Sequence, residues 1–199
     1  GPRADAVVVD TNSRNGDAHT ARAAQAAAVA RAVPPGGGAV VYKKVDSTIR
    51  GNVGAEVVAV MRALGVARCV FAPAFPGAGR TTVGGFQLVG GTPVHRTEMG
   101  KDLAAPVTTS QLARLFDGEV GVRCVPVPLG AVEAGKGAVV SAMQAAAAAE
   151  EEDDDQLTVF ICDATCDADL SIIAAAAAGL GGPRPLLAGS AGLAAALVP

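Results

Sequence analysis

Short apolar runs alternate along this chain with alanine-rich stretches, and that rhythm constrains the fold more than any other feature. Residues 6–9, 39–42, 69–72, 122–127, 157–162 and 185–188 are mostly apolar stretches of strand length, and the continuous run at 6–9 is how a strand buried on both faces reads. Between them, residues 18–32, 55–64, 167–178 and 191–197 have the composition of helices. The first of these starts near Asp17 and is stopped by Pro34-Pro35-Gly-Gly-Gly38; the second places Val57, Val58, Met61 and Leu64 on one face. The alternation predicts an α/β fold with three layers: a mostly parallel sheet carrying helices on both faces.

Three segments depart from the rhythm. Residues 83–95, with Phe86-Gln-Leu-Val89, Gly90-Gly91 and Pro93-Val94, read as an inserted β-hairpin. Thr109 or Ser110 is placed to cap a short helix ending at Phe116. From Gln144 onward poly-alanine passes into six consecutive acids at 150–155, the pattern of a helix running into a solvated acidic loop.

Half of the 199 residues are hydrophobic but only 3% are aromatic and none is Trp, so the core must be built from Ala, Val, Leu and Ile. The length suits one domain, residues 1–199, and not two. The chain opens on a strand without lead-in and stops where a further element starts, which reads as an internal piece of a larger protein. A net charge of −3 with scattered cations argues against a nucleic-acid partner. No apolar run approaches the roughly 20 residues that cross a bilayer, so a soluble protein with no membrane partner is expected. Cys69, Cys124, Cys162 and Cys166 lack the spacing of a zinc site and read as buried free thiols. With no signal peptide in view, the expected compartment is cytoplasmic. No metal site is expected from the sequence.

Chemistry concentrates in two loops. Tyr42-Lys-Lys-Val-Asp-Ser-Thr-Ile-Arg50 sets three cations, a carboxylate and two hydroxyls directly after an apolar run, and Phe71 to Gly85 follows the next such run with a glycine-rich stretch containing Arg80. Ligands of α/β sheets bind outside the carboxyl ends of the strands, where Lys and Arg suit a carboxylate or phosphate. The pair predicts one pocket for a small polar anion. Competing structural readings stand beside this one. Lys43, on the strand face opposite Lys44, reads as a solvated charge, and Arg50 as a turn cap or a partner of Glu56. The glycines also serve tight turns, and no Walker-type Gly-Lys-Ser or Gly-Lys-Thr occurs. His95 and His19 read as hairpin and helix-start residues, and Asp163 as either a ligand-reaching or a capping carboxylate.

The stretch Lys43 to Gly51, the segment Ala72-Pro-Ala-Phe-Pro with Gly79 to Gly85, and Thr92 to Thr97 resemble the amino-terminal domain of the four-carbon acid sugar kinases. The likeness continues through Asp102 with Pro106-Val107, Cys162 to Thr165, Asp169-Leu170 and Gly189-Ser-Ala-Gly-Leu193, and so runs nearly the whole chain in order. It departs from the family at Leu103, where Pro is usual, and at the acidic run.

The resemblance implies an ATP-dependent enzyme that phosphorylates the terminal hydroxyl of 3-oxo-tetronate, threonate or erythronate. This domain would hold the sugar acid, and a carboxy-terminal domain would hold ATP with its Mg²⁺. It also implies that the opening strand, with an Asp-Asp-x-Thr-Gly-Ala motif, lies before residue 1, so that the isolated chain is inactive. Homo-oligomerisation is left open. Carried over position by position, the sugar-acid pocket uses Arg14 and the stretch Lys44, Val45, Asp46 and Ser47. Residue chemistry reaches a similar set: Arg14 or Lys44 for the carboxylate, Asp46 and Ser47 for the hydroxyls, and Arg50 and Arg80 toward the transferring phosphate. Asp46 is a candidate for the general base, beside the aspartate pair of the upstream motif. The alternative reading is a non-catalytic module that binds a small anion or serves regulation and derives from such a kinase.

Overall fold

The computed structural model describes residues 6–33, 39–148 and 156–198. In chain order its elements are α1 (Ala18–Ala32), β1 (Tyr42–Lys44), α2 (Val53–Leu64), β2 (Arg68–Ala72), β3 (Arg80–Val83), β4 (Phe86–Val89), β5 (Thr92–Pro93), β6 (Val122–Val127), α3 (Leu129–Glu133), α4 (Lys136–Ala148), β7 (Leu157–Cys162), α5 (Asp167–Ala178), β8 (Leu186–Gly189) and α6 (Ala191–Ala195). Short 3₁₀ turns fill the connections on either side of the β3–β5 insert.

Five strands form one parallel sheet in the order β1-β8-β2-β7-β6. Because successive side chains on a strand point to opposite faces, each central strand feeds two cores. Val70 and Ala72 of β2, with Phe160 and Cys162 of β7, pack under α3, α4, α5 and α6. Cys69 and Phe71, with Val159 and Ile161, pack on the other side against α2 and the 3₁₀ turn at Leu112–Phe116. There Phe71 and Phe116 meet edge to face, with ring centroids 5.6 Å apart, the preferred aromatic geometry. Helix α1 lies over α2 and buries Ala21, Gln25 and Ala28 along one stripe. The three-layer α/β architecture read from the alternation is the one observed.

The insert is a three-stranded antiparallel sheet, β3-β4-β5, that begins at Arg80 and so exceeds a hairpin. Gly84 and Gly85 turn it at φ 60° and 74°, a conformation that glycine adopts without a Cβ penalty. The buried Asp163, just past β7, fastens this turn: its carboxylate accepts from Gly84 N at 2.7 Å, Gly85 N at 2.9 Å and Leu129 N at 3.2 Å. Asp163 therefore caps backbone and is spent on the fold.

Several expectations need correction. Residues 6–9 are in no strand, and Val7 and Val8 are 74% and 94% exposed. A strand exists through its ladder partner, and no described residue pairs with this segment. The strand expected at residues 39–42 lies at Tyr42–Lys44, where its ladder with β8 pairs Tyr42 with Leu187 and Lys44 with Gly189. Neither Thr109 nor Ser110 is the cap of the helix before Phe116; that place is held by Gln111, while Thr109 Oγ1 accepts from Gln111 N at 3.1 Å and Ser110 bonds His95. Cys69 and Cys162 are buried, and burial pushes both thiols up from their ordinary range. Cys124 is half-buried, and Cys166 is exposed because it sits in the loop at the N-cap of α5. The acidic run at 150–155 lies outside the described residues.

One glycine sets how closely α2 can pack. A Cβ at Gly54 would fall 1.8 Å from the Leu115 carbonyl oxygen. Gly54→Ala should therefore destabilise the fold by about 1–3 kcal/mol, the usual cost of overpacking, measured as a fall in the denaturation midpoint without a change in slope.

Candidate active site

The site grows from the carboxyl end of β1, at the margin of the parallel sheet. Past Lys44 the chain enters residues 45–50, where Ile49, buried at 2% exposure, adopts φ 54°. A β-branched residue in the left-handed region is strained and persists only where its surroundings hold it. Here Val45 and Ile49 are anchored in the α2-side core, and Ile49 N donates to Asp46 O at 2.9 Å. The turn brings Arg50 back onto Asp46: Arg50 Nε donates to Asp46 Oδ2 at 2.7 Å, and Thr48 Oγ1 donates to the same oxygen at 2.6 Å.

Arg50 also forms an ion pair with Asp102 at 3.5 Å. Asp102 in turn accepts from Ala104 N at 2.9 Å and Ala105 N at 3.0 Å through its other oxygen. One guanidinium thus ties the Asp46 loop to residues 104–106, which form one wall of a groove of about 200 Å³. Arg14, Asn15, Gly16, Gly51 and Asn52 line the rest of it. Asn52 Nδ2 donates to Gly16 O at 2.7 Å and to Ser13 O at 3.2 Å, which holds the Arg14 turn against the start of α2. Gly51 is required beneath it, since a Cβ there would lie 2.9 Å from Arg14 Cγ and the residue has φ 86°. The volume is below the ~300–1,000 Å³ of drug-sized pockets and suits a small ligand.

The electrostatics around the groove are mixed. Burial raises the Asp46 carboxyl, but hydrogen bonds from Arg50 and Thr48 and the charges of Arg50 and Arg14 outweigh it and hold the group below its ordinary value. Asp102 is held low by the Ala105 and Ala104 amides and by Arg50. The Lys44 ammonium lies below its ordinary value through partial desolvation and then through Arg14 and Lys43, with Asp46 acting in the opposite sense. Asp46 Oδ1 receives no hydrogen bond from the described residues, which leaves it open to a ligand.

The structure thus brings Arg14, Lys44, Asp46 and Arg50 into one neighbourhood and gives them different tasks. Arg14 is exposed at the groove, and Lys44 turns its Nζ to Val45 O at 2.7 Å. Val45 is a core residue. Ser47 is half-buried, and its carbonyl accepts from the buried Gln87 at 2.7 Å, which links the loop to β4. Arg50 pairs with Asp46 and Asp102 and not with Glu56. Lys43 is no solvated charge: its Nζ donates to Glu56 Oε2 at 2.7 Å, with side-chain exposures of 11% and 12%. Arg80 folds over its own loop, donating to Ala78 O at 2.6 Å, and its buried Nε has no partner among the described residues. His95 shares a 2.7 Å hydrogen bond with Ser110, and His19 is exposed on α1. Asn15, Asn52 and residues 104–106 escaped sequence reasoning as groove residues, although Asp102 with Pro106 stood in the family likeness.

A family model described as a sugar-binding N-terminal domain matches residues 1–197. The D-threonate kinase of Salmonella typhimurium is 40% identical over 98% of this chain and 44% of its own length. The D-erythronate kinase of Heliobacterium modesticaldum is 34% identical over 73% of this chain and 33% of its own length. A crystal structure of a domain of unknown function from Bordetella bronchiseptica, a domain-swapped dimer with bound citrate, superposes with a TM-score of 0.76 at 36% identity, covering 95% of this chain and 44% of that one. The chain thus spans less than half the length of these relatives.

The clamp has a pH signature. A carboxylate held low in the folded state stabilises that state above its unfolded pKa, about 3.9 for Asp, and loses that contribution as pH falls through the lowered folded value. The stability gap between wild type and Asp46→Asn should be fully present at neutral pH and close progressively below about pH 4, as read by denaturant unfolding across pH.

Proposed function

Since the chain belongs to the family of sugar-binding N-terminal domains, we propose that it holds a four-carbon sugar acid, such as threonate, erythronate or 3-oxo-tetronate, for phosphorylation by the full-length protein. The observation that carries this reading is the small groove with the exposed Arg14 on one wall and two backbone-fixed segments on the others, beside a carboxylate with an open oxygen. A four-carbon acid needs a cationic fork at its carboxylate and acceptors along its hydroxyls. Arg14 supplies the fork, and Lys44 adds a second positive charge. Asp46, kept ionised by Arg50 and Thr48, offers Oδ1 to a hydroxyl and is the acceptor for its proton, and Ser47 adds a hydroxyl partner. Arg50 acts by holding Asp46 and the 104–106 wall in place.

ATP with Mg²⁺ is the phosphoryl donor in this reading and would be held mainly by a further domain of the full-length protein. Phosphoryl transfer needs chiefly positioning and charge neutralisation, so orienting the acceptor is the substantive task of this domain. Arg80 is kept as the cation toward the transferring group, on the ground that its buried Nε is unpaired. The names of the Salmonella and Heliobacterium relatives support a sugar-acid kinase. The citrate bound to the Bordetella domain supports affinity for a carboxylate, and its swapped dimer supports a homo-oligomer. Among the described residues no helix is long and apolar enough to cross a membrane.

Calorimetric titration of the full-length protein with D-threonate, D-erythronate and a phosphorylated sugar tests the reading. A four-carbon acid should bind preferentially, and Arg14→Ala should weaken it about 10- to 100-fold, the usual size of a lost charged hydrogen bond. Arg14→Lys should restore little of this, since a point charge does not replace a planar fork. Equal affinity in wild type and Arg14→Ala, or no binding of any four-carbon acid, would overturn the assignment.

A further inference from the structure

Glu56 lies on the inner face of α2, with 9% of its surface exposed. Its two carboxylate oxygens are divided between two segments, one bearing Arg14 of the groove and the other Lys44. Oε1 accepts from Ser13 Oγ at 2.6 Å, and Ser13 immediately precedes Arg14. Oε2 accepts from Lys43 Nζ at 2.7 Å, and Lys43 immediately precedes Lys44. We infer that Glu56 is a positioning residue for the sugar-acid site, fixing the separation between Arg14 and Lys44 through their neighbours. The inference rests on the substrate reading given above for this groove.

The surroundings show why a carboxylate is needed there. Ser13 is itself buried and shares its hydroxyl with Thr11 Oγ1 at 2.9 Å and Gln25 Nε2 at 3.2 Å. Its preceding residue, Asn12, stands at φ 47°, a left-handed conformation that depends on its surroundings to be held. A buried carboxylate is stable only when paired and hydrogen-bonded, and here both needs are met by Lys43 and Ser13. Removing it leaves the Lys43 ammonium without its counter-charge, with only the Lys44 carbonyl at 3.2 Å to accept from it, and frees the Arg14 turn on one side. The expected result is two cations that no longer present one fixed geometry to a small ligand.

Because Glu56 touches no ligand in this scheme, its effect on affinity must pass through the fixed separation of Arg14 and Lys44, which is lost once Arg14 is removed. D-threonate binding to full-length wild type, Glu56→Gln, Arg14→Ala and the double variant forms a cycle that isolates this coupling. Glu56→Gln should weaken binding about tenfold in the wild-type background and have little effect once Arg14 is gone. Its effect on the denaturation midpoint should be the same in both backgrounds. Equal losses of affinity in both backgrounds would mean that Glu56 serves stability alone and would overturn the inference. A second readout holds even if wild type binds no four-carbon acid, an outcome that would reject the substrate reading. In Glu56→Ala, amide exchange at Gly16, whose N–H donates to Ser13 O at 3.3 Å, should rise about tenfold or more relative to that of α5, and unchanged exchange there would equally overturn it.

Discussion

Arg50 is the piece on which the groove depends. Its guanidinium holds Asp46 at 2.7 Å and Asp102 at 3.5 Å, and those aspartates belong to segments far apart in the chain. Without it the 45–50 loop would lose what returns it over the strained Ile49, and residues 104–106 would lose their fixed tie to the sheet edge. A planar, permanently charged fork is suited to such a bridge, and a lysine at this position would not reproduce it. The two pairs stay partly open to water, so their value is geometric: they keep Asp46 ionised and aimed.

Around that bridge the site is assembled in layers of decreasing directness. Arg14 lines the groove, and Asp46 lies near it with one oxygen free of hydrogen bonds from the described residues. Behind them Asn52, Gly51 and Ser13 fix the Arg14 turn, and behind those the Glu56 carboxylate joins the turn to β1. Substrate-positioning groups need placement to a fraction of an ångström, which exposed long side chains achieve only when the backbone carrying them is held. The parallel sheet supplies the rigid base, and the antiparallel insert is locked onto it through Asp163 and through Gln87 to Ser47.

The central elements were legible because their signals are local. The runs at Leu157–Cys162 and Asp167–Ala178 were readable to the residue, since an unbroken β-rich run and an alanine-rich helix with acids in its first turn admit few other readings. Residues 6–9 carry the same kind of signal and form no strand, because pairing is a property of two segments and sequence reads one at a time. The cationic cluster was legible as a site, but its internal division was not. Strand alternation correctly put Lys43 and Lys44 on opposite faces, yet nothing in the sequence showed that Glu56 would lie opposite the first. Arg50 likewise looked like a ligand for an anion, and two carboxylates of the fold itself already occupy it.

The central claim is spatial: a four-carbon acid sits in the groove between the Arg14 turn and residues 104–106. A crystal structure of the full-length protein with D-threonate tests it most directly. The account predicts the ligand carboxylate on the Arg14 guanidinium and a ligand hydroxyl on Asp46 Oδ1, with the Arg50 bridge intact. Density for the acid elsewhere, or Arg50 released from Asp46 to take the carboxylate itself, would contradict it.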